Sequence, residues 1–339
     1  MFALAALLGL FATLIGGVLG AGALASLIIT LRVAAQHPPD GPFVAVPGGR
    51  LATLQAGPET GARATVVLLH GASSNAADPM ESIGRRLAAE GFRVVAFDRP
   101  GFGWSDRLSG SEAGKPSVQG AAIAEALERM GIGPAIVLGH SWAGSLALSL
   151  ALDHPERVAG LMLVSPVALP FREDRTPPWY WRLALKPPIA WLLSRTIGPP
   201  LGLYYLDAAA RNVFVPQTAS EGYVGRSRAT LVLRPDTLLA SVQDLIALPA
   251  ALAAQAPRYP GLRVPTVIVA GDADRAVTSA LQAEPLAQMI PGARLVTLPG
   301  VGHMVPWVAT EALAAEVSRL ADQLSADRLA PAPAGTVAP

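Results

Sequence analysis

Ser141 stands in Gly139-His140-Ser141-Trp142-Ala143-Gly144, directly after the apolar run Ala135 to Leu138 and directly before a helix-length segment, Ala143 to Asp153. A serine on a sharp strand-to-helix turn has its hydroxyl lifted above the sheet edge, and small neighbours are the steric condition for that turn. The usual spacing places glycine two residues either side of the serine. Here Ala143 takes the second of those positions and Gly144 follows one residue later, a departure of one methyl group that the turn can absorb.

A serine hydroxyl becomes a useful nucleophile only when a base takes its proton, and histidine is the side chain whose ordinary pKa lies nearest neutrality. Of five histidines, His303 is the candidate base, because it sits in the glycine-rich segment Leu298-Pro299-Gly300-Val301-Gly302-His303-Met304 after the last apolar run. His37 lies in a connector, His154 in a helix-ending turn, and His140 precedes the serine and points away from it. The base must itself be held in one tautomer by a carboxylate. Gly271-Asp272-Ala273-Asp274-Arg275 offers two; Asp274, further into its loop, is placed to reach His303, and Asp272 reads as a brace for the turn.

Attack on a carbonyl creates an oxyanion, which needs preorganised N–H donors worth roughly 3 to 4 kcal/mol each. Two backbone amides suit: Trp142, at a helix start whose dipole favours negative charge, and Ala72, in His70-Gly71-Ala72-Ser73-Ser74 at the end of another apolar run. Such a constellation needs neither a metal nor an organic cofactor. The absence of cysteine removes thiolate chemistry and disulfides, and Gly101-Phe102-Gly103 is too short to serve as a dinucleotide-binding fingerprint.

The elements that must position these residues recur along the chain. Short apolar runs at Val66 to Leu69, Val94 to Phe97, Ala135 to Leu138, Leu161 to Val164, Val267 to Ala270 and Leu295 to Leu298 are what strands buried on both faces look like. Helix-length segments alternate with them, at Met80 to Glu90, Val118 to Met130, Ala143 to Asp153, Leu281 to Ile290 and Thr310 to Leu324, so the fold class is α/β with a doubly wound, mostly parallel sheet. Phe43 to Val46 and Leu51 to Gln55, around Pro47-Gly48-Gly49-Arg50, predict an antiparallel pair. The boundaries that follow are a core over 43–167 and 262–325, a mostly helical cap inserted at 168–261, and a disordered tail at 326–339.

His70-Gly71, Asp98-Arg99-Pro100-Gly101-Phe102-Gly103-Trp104-Ser105, Gly139-His140-Ser141-Trp142, Gly271-Asp272-Ala273-Asp274 and Gly302-His303 together resemble the α/β-hydrolase superfamily, in the branch of esterases, carbon–carbon bond hydrolases and cofactor-free perhydrolases. The order Ser141, Asp274, His303 is the order this superfamily uses. The resemblance spans about residues 43 to 324 and implies an eight-stranded sheet, a cap inserted after the sixth strand, and an Asp98 motif that shapes the pocket floor. It also implies hydrolysis of an ester-type substrate through an acyl-enzyme. An acyltransferase or perhydrolase on the same triad and a non-catalytic membrane protein with an inherited fold are the alternatives. Serine rather than aspartate at the elbow argues against the dehalogenase and epoxide hydrolase chemistries of related proteins.

With 26 basic and 25 acidic residues the net charge is +1, which gives no field to recruit nucleic acid. Hydrophobic residues make up 51% and charged residues only 15%, a balance that points to lipid. From Phe2 to Leu31 no residue is charged, longer than the roughly 20 residues that span a bilayer core, so residues 1–35 predict a single-pass anchor. A signal peptide cleaved near Ala23-Leu24-Ala25 or Val33-Ala34-Ala35, with a periplasmic protein, is the rival; Arg32, Arg50 and Arg63 lean the other way, to a cytoplasmic catalytic domain. Gly16 and Gly20 have the spacing for close helix pairing in a homodimer. Aromatic and aliphatic cap residues suit an apolar ester, and Trp179, Tyr180 and Trp181, beside Arg182 and Lys186, suit a bilayer interface and lipid-like substrates.

Overall fold

The structure is a computed structural model that describes residues 2–108, 110, 112–171 and 183–329. Its centre follows from the apolar runs, in which consecutive aliphatic side chains point to alternate faces and both faces must be covered. Strands β1 (Phe43–Val46), β2 (Gly49–Ala56), β3 (Thr65–Leu69), β4 (Arg93–Phe97), β5 (Ala135–His140), β6 (Val158–Val164), β7 (Thr266–Gly271) and β8 (Arg294–Leu298) form one eight-stranded sheet in the order β1-β2-β4-β3-β5-β6-β7-β8. The β1/β2 and β2/β4 pairs are antiparallel and the remaining pairs are parallel.

Besides the N-terminal helix α1 (Phe2–Gln36), the longer helices are α2 (Pro116–Arg129), α3 (Ala143–Asp153), α4 (Pro187–Arg195), α5 (Gly198–Phe214), α6 (Pro235–Gln255), α7 (Ala283–Met289) and α8 (Thr310–Leu329). Val67 and Leu69 of β3 face the layer of Ile123 and Leu127 of α2, Leu146 and Leu150 of α3, and Leu286 of α7. Val66 and Leu68 face the opposite layer, with Ile83, Leu87, and Leu313 and Val317 of α8. Parallel strands joined this way all deliver their following loops to one edge, so the segments after β3, β5, β7 and β8 converge there.

Between β6 and β7 the described residues are mostly helical, and α4, α5 and α6 each begin with proline in the first turn, where its missing amide costs nothing. Trp179, Tyr180, Trp181 and Arg182 lie outside the described residues. Three elements differ from the sequence reading. The segment read as one helix over Met80 to Glu90 is helical over Ala77–Pro79 and Arg85–Ala89 with a π-helical turn, Met80–Gly84, between them. The helix read from Leu281 begins only at Ala283, which places Pro285 in the first turn, where proline is tolerated. Helix α8 continues through Leu329, because Ala326, Arg328 and Leu329 are good helix formers, so disorder does not begin at 326; residues 330–339 lie outside the described ones.

Helix α1 has two parts. Residues 2–18 are exposed on every side. Further along, Ser26 and Val33 are buried, and a Cβ on Gly22 would sit 3.0 Å from the Thr196 carbonyl oxygen. The connector after α1 is also tied down: Trp104 Nε1–H donates to the His37 carbonyl at 2.9 Å, and Arg228 pairs with Asp40. The second half of α1 is therefore part of the folded domain, a departure from a segment that is purely an anchor through residue 35.

Candidate active site

Strand β5 ends at His140, and Ser141 has φ of +55°, the left-handed region that costs a non-glycine residue about 1–3 kcal/mol. The surrounding contacts hold it there. Ser141 N–H donates to the Val164 carbonyl of β6 at 2.9 Å, and the Ser141 carbonyl accepts from Gly144 N–H at 2.8 Å and Val167 N–H at 2.9 Å. The flanking glycines are sterically required: a Cβ on Gly139 would lie 2.4 Å from the Ala143 carbonyl oxygen, and one on Gly144 would lie 2.5 Å from Pro166 Cβ. The displaced second glycine thus answers to a neighbouring proline, and Ala143 fits fully buried where glycine is usual.

The loop after β8 carries His303 to this serine. Ser141 Oγ–H donates to His303 Nε2 at 3.0 Å, and His303 Nδ1–H donates to Asp274 Oδ2 at 2.7 Å. Asp274 is buried in the loop after β7, and its Oδ1 accepts from Ala276 N–H and Val277 N–H, both at 2.8 Å. Burial alone would raise this carboxyl. The imidazole and the two backbone donors outweigh it and hold the group below the usual carboxylate range, so it is ionised at neutral pH. Asp272, by contrast, is exposed and accepts from Gly300 N–H at 2.6 Å, which ties the two loops together away from His303.

His140 packs against His303, with ring centroids 5.0 Å apart, and its Nε2–H donates to the His303 carbonyl at 3.1 Å. Burial, aided by the adjacent His303, pushes the His140 imidazole down to about 3. It is therefore neutral at pH 7 and serves as a prop for the His303 loop. Ala72 and Ser141 line one cavity of about 460 Å³ together with His303. The far wall is apolar and comes largely from α5, through Leu206, Ala209 and Val213. Neither the Ala72 nor the Trp142 amide donates to a carbonyl among the described residues, so both remain available to a ligand.

The Asp98 motif does not form the floor of this cavity. The Asp98 carboxylate is turned away to satisfy loop amides, accepting from Ala76 N–H at 2.7 Å and Trp104 N–H at 2.8 Å, as a buried carboxylate must. Burial pushes it up to about 6.

Two features went unread in the sequence. Asp78 lines the cavity and accepts from Trp307 Nε1–H at 2.7 Å and Ser74 Oγ–H at 2.9 Å; burial raises its carboxyl despite these donors. Arg99 and Asp244 form a fully buried ion pair, 2.7 Å apart, beneath the loop that carries Ala72. The signal for the pair was a lone acid, Asp244, in the apolar segment Leu238 to Leu252.

Residues 64–310 match the family model described as "alpha/beta hydrolase fold". The chain is 26% identical over 257 residues to the 2-hydroxy-6-oxo-6-phenylhexa-2,4-dienoate hydrolase of Burkholderia cepacia, covering 75% of this chain and 86% of that one. Among solved structures, an esterase from Exiguobacterium antarcticum superposes with a TM-score of 0.66 at 22% identity, covering 84% of this chain and all of that one. A structure described as a membrane phospholipase A superposes with a TM-score of 0.62 at 23% identity, covering 96% of this chain and 99% of that one. The share left uncovered in that last match is shorter than the 35-residue α1, so the likeness includes part of the N-terminal helix.

Proposed function

Because this chain belongs to the alpha/beta hydrolase fold family, we propose that it is a membrane-anchored serine hydrolase of ester-type, lipid-like substrates, with Ser141 as nucleophile, His303 as base and Asp274 as the carboxylate that orients the base. The observation that carries this reading is the continuous relay of Ser141 Oγ, His303 and Asp274, at 3.0 Å and 2.7 Å, at the base of an apolar cavity.

His303 Nε2 takes the hydroxyl proton as Ser141 Oγ attacks the ester carbonyl carbon. The resulting oxyanion accepts from Ala72 N–H and Trp142 N–H. The intermediate collapses, the C–O bond to the alcohol breaks, and His303 Nε2–H returns the proton to the leaving oxygen. Water, deprotonated by the same imidazole, then attacks the acyl-enzyme and frees the acid. Asp274 stabilises the imidazolium at each stage by accepting its Nδ1–H.

Lipid enters through α1 and the cap. Residues 2–18 are uncharged and, apart from Thr13, whose hydroxyl donates to the Gly9 carbonyl, apolar all round, as suits a helix surrounded by hydrocarbon, and about 17 residues rise roughly 25 Å, close to the thickness of a bilayer core. The second half of α1 packs on α4 and α5, which expose Trp191, Leu201 and Tyr204. The cavity wall on α5 therefore lies next to the membrane-facing surface, in line with a substrate held in lipid. The likeness to a protein described as a membrane phospholipase A supports the same substrate class.

The test compares the full chain with a variant lacking residues 2–20, which spares the buried Ser26 and Val33. The full chain is expected in the carbonate-resistant membrane fraction, hydrolysing both a p-nitrophenyl ester in detergent and a phospholipid ester in vesicles. The shortened chain is expected to leave that fraction, keep the first activity within about threefold, since no cavity residue is removed, and lose most of the second. Absence of ester hydrolysis in the full chain, or retention of the shortened chain in membranes, contradicts the reading.

A further inference from the structure

We propose that Arg99 is a positioning residue for the Ala72 amide, held in that role by Asp244 of the cap helix α6; the proposal rests on the reading of Ala72 as an oxyanion donor. Arg99 is completely buried, and each of its three guanidinium nitrogens donates to an acceptor. Nε–H donates to the His70 carbonyl at 3.0 Å and Nη2–H to the Gly71 carbonyl at 3.1 Å. Nη1–H donates to Asp244 Oδ2 at 2.7 Å and to Gln119 Oε1 at 2.9 Å.

The His70 ring adds a second constraint. Arg99 N–H donates to His70 Nε2 at 3.0 Å, so that nitrogen is the acceptor and Nδ1 carries the proton; Nδ1–H then donates to the Gly71 carbonyl at 2.9 Å. The Gly71 oxygen therefore receives two donors, the full capacity of its lone pairs. A peptide unit is planar and trans, so its C=O and the N–H of the next residue point in opposite directions. Fixing the Gly71 carbonyl towards Arg99 thus fixes Ala72 N–H away from it, on the side of the cavity that Ala72 lines. The loop is also close to the nucleophile, since a Cβ on Gly71 would lie 3.1 Å from Ser141 Cβ.

A flipped peptide would turn the Gly71 carbonyl towards the developing oxyanion and leave buried donors of Arg99 and His70 without an acceptor, which is costly. The same guanidinium lies over the Trp142 ring, 4.0 Å from its centroid, so one buried cation contacts both the carbonyl end of the Gly71–Ala72 peptide unit and the residue that carries the second amide. Asp244 belongs to the cap and also pairs with Arg107 at 2.9 Å. Seating the cap and orienting the oxyanion donor are in this way one event.

Arg99→Lys tests the proposal, because an ammonium can keep a charge beside Asp244 but cannot reproduce the planar fork that reaches the two carbonyls. With p-nitrophenyl butyrate, kcat is expected to fall about 100-fold and KM to change less than about twofold, the pattern for loss of one oxyanion donor. An alkylboronic acid, which becomes tetrahedral and anionic on Ser141, is expected to bind weaker by a similar factor, and the matching carboxamide to bind as before. Asp244→Asn, nearly isosteric, is expected to show the same split with a smaller loss and carries the test if the lysine variant does not fold. A folded Arg99→Lys protein with unchanged kcat and boronate affinity overturns the proposal. So does a loss shared equally by kcat, KM and carboxamide binding. Wild-type turnover in Ser141→Ala, run alongside, would instead remove the site reading, and this proposal with it.

Discussion

Ser141→Ala is expected to lower kcat for a p-nitrophenyl ester by roughly 10⁵-fold, with KM changed by less than about threefold and the far-UV spectrum intact. The size of the loss follows from position: the Oγ is the only atom of the relay that would bond to the acyl carbon, and water held by the remaining groups is a poor substitute. KM stays because the apolar wall from α5 holds the substrate without the hydroxyl. Folding is expected to hold because the elbow is fixed by backbone bonds to Val164, Gly144 and Val167 that alanine retains. Initial rates on purified protein check it, and a residual rate above about 1% of wild type would move the nucleophile elsewhere.

Asp274→Asn is expected to cost about 10⁴-fold in kcat, by a different route. The asparagine amide can turn an N–H towards His303 Nδ1, which places the imidazole proton on Nε2 and leaves no acceptor for the Ser141 hydroxyl. Two backbone donors, Ala276 N–H and Val277 N–H, already claim the other oxygen position and favour that orientation of the amide. Asp272→Asn is the matched control. Its exposed side chain serves Gly300 N–H, an asparagine oxygen accepts equally well, and kcat is expected to fall less than about tenfold. Rates for the two variants under identical conditions decide which acid orients the base; equal losses would contradict the assignment.

The strands were legible because five of the apolar runs are buried with nothing polar inside them and have few other folds open to them, the sixth, Leu295 to Leu298, carrying Thr297 and lying only partly covered at the sheet edge; the chain order of Ser141, Asp274 and His303 was legible because each follows one of these runs. Asp274 could be preferred to Asp272 from reach alone, and the structure brings Asp274 to His303 and leaves Asp272 outside. What stayed hidden depends on contacts between distant segments. Arg99 and Asp244 are 145 residues apart and Asp78 and Trp307 are 229 apart, so neither pairing has a local pattern. Asp98 was assigned to the pocket by resemblance; its carboxylate instead answers the local need of the Ala76 and Trp104 amides. The split of α1 was also beyond a hydropathy reading, because Ser26 and Val33 differ little from their neighbours until the cap is set against them. The start of α7 and the extension of α8 were within reach of propensity arguments, through Pro285 and through Ala326, Arg328 and Leu329.

The central claim is that Ser141 is an activated nucleophile, and the most direct measurement is covalent labelling of the full chain in detergent by a fluorophosphonate, followed by mass mapping of the adduct. The account predicts a single phosphonyl group on the peptide that contains Ser141, with labelling abolished in Ser141→Ala and slowed by orders of magnitude in His303→Ala. An unlabelled wild-type protein, or an adduct on any other residue, would contradict it.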